Sequence, residues 1–349
     1  MMLLDENRTT NEPIQVAFKN TLPVNATIEL LTRCNLRCEH CYIPAHTGAG
    51  LTYEQITSIL DQLHEMGTLY LLLTGGEMFL RPDIMDIVRY ARRKGFSVTL
   101  FSNATCTTEA QIAELKELNI AQFSCTIFSM NPEVHDAITG VKGSLEKTLR
   151  TMALVKQYGI PGEIKNVIMK RNLADWKAVH DYAKENGFSH LAPPNVMPKI
   201  DGNLTPMELG LNYEQTKEVW REQDERGMQE KVRIGWDESD YICNLIHTQV
   251  FIDCNGNLFP CNTFYYKFGN ILELPLREIW NKAEAHKYLL SLRKKDFPAC
   301  CNCKDRAYCV KCPGNAYMES GDLYACSEMD RRLTWVTKEL YGKEAESAD

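Results

Sequence analysis

Residues 28–44, IELLTRCNLRCEHCYIP, place Cys34, Cys38 and Cys41 within eight residues, directly after a short apolar run. The apolar run reads as a strand and the cysteines as the loop that follows it. In parallel sheets and barrels, ligands gather at the carboxyl ends of the strands. If the chain is of that kind, the three thiols stand on its active face.

The sequence downstream supports that architecture. ATIELL, LYLLLT, FSVTLF, QFSCTI, EIKNVIM and SHLAPP read as strands. TYEQITSILDQLHEM, PDIMDIVRYARRKG, TEAQIAELKEL, SLEKTLRTMALVKQYG and DWKAVHDYAKENG carry helical periodicity between them. Gly67, Gly95, Gly159 and Gly187 close four of these helices as C-cap residues. Repeated strand-helix units predict an α/β fold, with a partial, open (β/α)6 TIM-like barrel as the expected form and a doubly wound sheet as its competitor.

The expected organisation is an N-terminal segment at 1–24, the barrel at 25–195 and a bridging segment at 196–240. A small cysteine-rich domain follows at 241–330, and a C-terminal helix and tail at 331–349. The bridge contains the loop PKIDGNLTPMELG and the polar helix NYEQTKEVWREQDERGMQEKV. The small domain opens on VFIDCNGNLFPC, where Asn255 and Gly256 signal a hairpin turn between two apolar arms.

Composition limits the function classes. The 349 residues are 44% apolar and 24% charged, an ordinary globular balance. The net charge of −7 offers no electrostatic footprint for nucleic acid or a membrane surface. The start, MMLLDENRTTNEP, turns polar too early for a signal peptide, so a cytoplasmic protein is expected. In a reducing compartment, 14 cysteines point to metal or catalysis rather than disulfides.

A CxxxCxxC trio suits a cubane iron-sulfur cluster that takes three thiolates and leaves its fourth iron uncapped. A zinc site would need a fourth donor. His40 is the candidate in the motif, but Glu39 and Cys41 on either side leave it little room to close a tetrahedron.

CxxxCxxC after a first strand resembles the signature of the radical S-adenosylmethionine (SAM) enzymes. In that family the uncapped iron chelates the amino and carboxylate groups of the cofactor, and a reducing electron splits it to a 5'-deoxyadenosyl radical that takes hydrogen from an unactivated carbon. LLLTGGEMF, with Gly75, Gly76 and Glu77, resembles the family's GGE motif at the methionine end of the cofactor. Ser102 and Asn103 in LFSNAT, Thr126 after the fourth run, and His40 within the motif are the further cofactor contacts that the resemblance implies. Each residue alone reads equally as a turn or cap residue; their value lies in converging from several strand ends. His135, in MNPEVHDAITG, reads as structural.

Nine cysteines crowd between Cys243 and Cys326. Cys300, Cys303, Cys309 and Cys312 spell two CxxC pairs only five residues apart, where zinc ribbons leave about fifteen to twenty. The arrangement resembles the SPASM domain, which carries up to two auxiliary iron-sulfur clusters. By position, the resemblance assigns Cys243, Cys261 and Cys312 to the first and Cys300, Cys303, Cys309 and Cys326 to the second. Only Val310 and Lys311 separate the last pair, where the family usually leaves three residues, which weakens the assignment of Cys312. Cys254 is expected to supply the fourth ligand of the first cluster or else to be an idle hairpin thiol. Cys301, Cys106 and Cys125 have no assigned role; a lone Cys near a strand is most often a small buried apolar residue.

The resemblance thus implies three [4Fe-4S] clusters, SAM, and a flavodoxin- or ferredoxin-type reducing protein. The expected activity is hydrogen abstraction from a ribosomally made peptide or protein, giving a thioether or carbon-carbon crosslink or an oxidation. Tetrapyrrole side-chain modification and anaerobic sulfatase maturation are the enzymatic alternatives, and a zinc-binding interaction protein is the non-enzymatic one. With the first strand near residue 25, no room remains ahead of it for a leader-binding domain, so leader recognition is expected from a separate protein or from the barrel.

Overall fold

The computed structural model describes residues 12–228 and 234–346. After a helix, α1 (Glu12–Asn20), six parallel strands follow in chain order: β1 (Asn25–Glu29), β2 (Tyr70–Thr74), β3 (Ser97–Ser102), β4 (Gln122–Thr126), β5 (Gly162–Lys165) and β6 (Ser189–Leu191). They match the six apolar runs read from the sequence. Each strand pairs with the next, and the sheet ends at β6 on one side without closing. This is the α/β partial barrel expected from the strand-helix repeat.

Helices α2 (Tyr53–Glu65), α3 (Ile84–Arg93), α4 (Glu109–Glu117), α5 (Pro132–Thr139), α6 (Ser144–Gln157) and α7 (Trp176–Glu185) connect the strands. Thr52 and Thr108 start α2 and α4 with full capping boxes, which satisfy backbone donors that a helix start leaves open. The alternation of side chains along a strand decides what each face does. Leu71, Leu73, Val98, Leu100, Phe123 and Ile164 turn to one face and are buried at 1% exposure or less, forming the core beneath the helices. Their neighbours Thr99, Phe101, Ser124, Thr126 and Lys165 turn to the other face and line the lumen.

The sheet does not stop at β1. The hairpin strands β7 (Gln249–Ile252) and β8 (Asn257–Phe259) follow, with β7 parallel to β1 and β8 antiparallel to β7; β9 (Gly269–Asn270) completes a nine-stranded sheet. Asn255 and Gly256 form the turn as expected, with Gly256 at φ +81°. The polar helix of the bridging segment is α8 (Tyr213–Glu225); the rest of that reading, residues 229–233, lies outside the described residues. The final helix, Glu328–Glu346, packs on α8. Among the described residues no helix is long and apolar enough to cross a membrane.

One buried cation fastens the cysteine loop to the sheet. Arg81 is 7% exposed. Its Nη1 donates to the carbonyls of Leu30 (3.2 Å), Ala49 (3.2 Å) and Leu51 (2.9 Å), while Nε and Nη2 pair with Asp83. The loop that leaves β1 and the segment that returns to α2 are thus tied to one side chain. Arg81→Met, which leaves buried carbonyls without their donor, is expected to cost about 3 kcal/mol of stability in urea unfolding of the cluster-free protein.

Candidate functional site

The segment after β1 crosses over the ends of β2 and β3 at close range. Gly76 N donates to Leu31 O (2.8 Å) and Glu77 N to Arg33 O (2.9 Å). A Cβ on Gly76 would meet Arg33 O at 2.4 Å and Thr32 O at 2.5 Å, and one on Gly75 would meet Leu31 O at 2.6 Å with φ at +150°. Both glycines are required by close backbone approach. They set the loop carrying Cys34, Cys38 and Cys41 directly above a cavity of about 210 Å³.

The cavity lining brings the three cysteines together with His40, Gly75, Gly76, Ser102, Asn103 and Thr126. Burial and the neighbouring thiols of Cys41 and Cys34 push the Cys38 thiol up to about 12. Burial also raises Cys34 and Cys41. Such thiols become thiolates only against a positive centre, which an iron-sulfur cluster supplies. Donors already face two of the sulfurs. Leu36 N donates to Cys34 Sγ at 3.4 Å and Asn103 Nδ2 donates to the same sulfur at 3.8 Å, while His46 Nε2 stands 3.3 Å from Cys41 Sγ.

One further observation fits the cavity wall to a bound cofactor. His40 Nδ1 is buried with no hydrogen-bond partner, its ring 4.9 Å from that of Phe128. Burial holds it neutral by pushing it down to about 4. A polar atom left open at the cavity wall is one that a ligand would complete.

Glu77, whose motif the resemblance puts at the methionine end of the cofactor, follows the lining residue Gly76. It is fully buried. Its carboxylate accepts from Phe79 N (2.9 Å), Ser102 Oγ (2.9 and 3.0 Å) and Asn103 N (2.7 Å). Ser102 pairs in register with Cys125, so the strand period turns its side chain to the Glu77 side, while Asn103 reaches over the edge to Asn35 and Cys34.

The C-terminal cysteines fall into two neighbourhoods. Burial, then Cys261, pushes Cys243 up to about 11. Burial, Asp330, Cys261 and Cys243 push Cys312 up to about 12. Cys300 feels Cys326 and Cys303, and Cys309 feels Cys300 and Cys326. Cys254 stands apart from the trio it was expected to complete. The thiol that raises Cys243 is Cys261, whereas Cys254 feels Glu29 and Asp253. It sits instead beside Glu29, which accepts from Cys254 N (3.4 Å) and Tyr42 Oη (3.4 Å) and is pushed by burial up to about 7. Cys301 Sγ donates to Lys294 O at 3.4 Å. Cys125 is a core residue at 1% exposure, and Cys106 is half-buried beside Thr105.

Comparison with known proteins agrees with this geometry. The model of the radical SAM superfamily matches residues 28–183, and that of the iron-sulfur cluster-binding domain SPASM matches residues 243–312. The chain carries a radical SAM domain and a SPASM domain. These domains imply iron-sulfur clusters and SAM. This radical SAM protein is 29% identical over 328 residues to the AdoMet-dependent heme synthase of Methanosarcina barkeri, covering 84% of this chain and 92% of that one. It is 32% identical over 184 residues to the subtilosin biosynthesis protein AlbA of Bacillus subtilis, covering 51% of this chain and 40% of AlbA. The structure of Streptococcus suis SuiB bound to precursor peptide SuiA superposes with a TM-score of 0.70 at 17% identity, covering 91% of this chain and 82% of SuiB.

Several lining residues escaped the sequence reading: Tyr42, His46, Phe101, Thr139 and Lys165. Phe101 and Lys165 share the lumen face with Thr126, a signal available from period-two alternation. His135 was read as structural, and its contacts agree: Nδ1 accepts from Phe128 N at 3.2 Å. Burial pushes it from 6.5 down to about 4. The unfolded chain therefore takes up a proton that the fold resists. This contribution to stability is full above pH 6.5 and is lost as pH falls toward 4. His135→Asn, which keeps an acceptor, should remove about 2 kcal/mol of the stability that the wild type loses between pH 7 and pH 5, measured by urea unfolding.

Proposed function

We propose that this radical SAM enzyme modifies a side chain of a ribosomally made peptide or small protein, by crosslinking or oxidation. The observation that carries the reading is the charge of the cavity. Among its described lining residues Lys165 is the one Lys or Arg, and burial holds His40 and His135 neutral at pH 7. A tetrapyrrole bears several carboxylates and would call for several cations. One side chain presented by a peptide needs no such array. The likeness to AlbA supports this reading, and the fold shared with SuiB is compatible with it.

The proposed ligand sets are Cys34, Cys38 and Cys41 for the SAM-binding cluster, Cys243, Cys261 and Cys312 for the first auxiliary cluster, and Cys300, Cys303, Cys309 and Cys326 for the second. Bound SAM supplies the hydrogen-abstracting radical. Gly75 and Gly76 let the backbone approach the cofactor, His40 and Thr126 face it, and Glu77 acts indirectly by fixing Ser102 and Asn103. A separate reducing protein, a separate leader-binding protein and a cytoplasmic location complete the proposal. Anaerobically reconstituted protein is then expected to hold about twelve irons per chain. Cys254→Ala should leave that number unchanged, and Cys261→Ala should lower it.

The test is mass spectrometry of peptides encoded beside the gene after incubation with enzyme, SAM and reductant. A peptide lighter by hydrogens supports the proposal; SAM cleavage with every such peptide unchanged contradicts it. The tetrapyrrole reading is kept because the heme synthase match spans most of both chains. Loss of carboxylate carbons from an added iron porphyrin would favour it instead.

A further inference from the structure

Lys165 is the last residue of β5 and pairs in register with Thr126 of β4, so its side chain enters the lumen. Its Nζ lies 3.3 Å from the centroid of the Phe101 ring. The nearest carboxylate oxygen, on Glu163, is 3.7 Å away and already accepts from Ser124 Oγ at 2.8 Å. The ammonium is paired on one side only, by this long contact with Glu163, and has three donors of which the rest face the cavity that Lys165 lines. Phe101 compensates its charge only in part, through the ring face.

Its position separates it from the cysteine loop. The charged groups that bear on Cys34, Cys38 and Cys41 are Glu29, Arg37, Glu39, Glu77 and Lys199. These residues belong to the β1 and β2 ends and to the 199 segment. Lys165 stands on β5, four strands from β1 in a sheet whose strands are about 4.8 Å apart. It lines the same cavity as the three thiols, from the β5 wall. Burial also lowers the tendency of Lys165 to hold its proton, with Glu163 opposing that effect, so an arriving anion would restore a charge that the cavity leaves under-compensated. A carboxylate bound to a half-desolvated ammonium gains more than one at the surface.

We propose that Lys165 is a specificity-determining residue that takes the carboxylate of an Asp or Glu side chain of the peptide substrate, and so selects an acidic residue at or next to the modified position. This rests on the peptide reading above. The same chemistry could be offered by the carboxylate of SAM, and the experiment separates the two.

Immobilised, cluster-loaded enzyme with SAM is used to select binders from a randomised library of short peptides. The selected peptides are remade with Gln for Glu or Asn for Asp, and their affinities are measured alongside the affinity for SAM. The wild type should enrich an acidic residue at one position and bind the amide version about tenfold or more weakly. Lys165→Met should bind both versions alike, Lys165→Arg should keep the preference, and SAM affinity should stay unchanged in both. Selected peptides with no acidic position would overturn the proposal while leaving the peptide reading intact. Loss of SAM affinity in Lys165→Met with the acidic preference retained would assign the carboxylate to the cofactor and also overturn it. Failure to select any peptide would remove the reading on which it rests. The Glu-to-Gln comparison on the wild type decides the question even if a Lys165 variant folds poorly.

Discussion

The site depends on one close crossing of backbone. The segment that leaves β1 passes over the β2 end with Gly76 N on Leu31 O and Glu77 N on Arg33 O, at a separation that no Cβ on either glycine could share. From that crossing, Glu77 reaches the end of β3 through Ser102 and Asn103, and Arg81 reaches back to Leu30, Ala49 and Leu51. A fully buried carboxylate and a nearly buried guanidinium are costly to desolvate. Here both are repaid by several hydrogen bonds each, and both serve to hold one loop. The loop carries Cys34, Cys38 and Cys41, and its position over the cavity follows from these contacts.

The chemistry follows from what this arrangement leaves open. Three thiols cannot ionise comfortably where they stand, and His46 and Asn103 are the side chains that reach their sulfurs. His40 presents an unpartnered nitrogen at the same wall. The far wall, by contrast, is built from Phe101, Ser124, Thr126 and Lys165, with a single ammonium. One end of the cavity is therefore suited to a cluster and its cofactor, and the other to a substrate group of limited charge. In the second set of cysteines, Cys254 and Cys261 flank the second strand of a hairpin that extends the same sheet beyond β1, so this part of the C-terminal region and the barrel share one continuous framework.

Much of this was legible in the chain. Short apolar runs of period two located all six barrel strands, and the Asn255–Gly256 turn located the hairpin, because these signals are local. The cysteine trio announced its chemistry for the same reason. The hydrogen bonds of Glu77 were not legible, because sequence order puts it beside Gly76, whereas the strand end turns its carboxylate inward to meet Ser102, a residue 25 positions away. The contact of Cys254 with Glu29 was not legible, because it joins the hairpin to the end of β1, 225 positions away. Lys165 went unnoticed because a lysine in a strand reads as a solvent-facing residue until the open barrel gives that face a lumen.

The most direct measurement is electron paramagnetic resonance of the anaerobically reduced protein, with and without SAM, together with detection of 5'-deoxyadenosine. In the wild type SAM should alter the signal of one cluster and be cleaved. In the variant with Cys34, Cys38 and Cys41 all changed to Ala, the auxiliary signals should remain, unresponsive to SAM and without product. Deoxyadenosine from that variant would contradict the account.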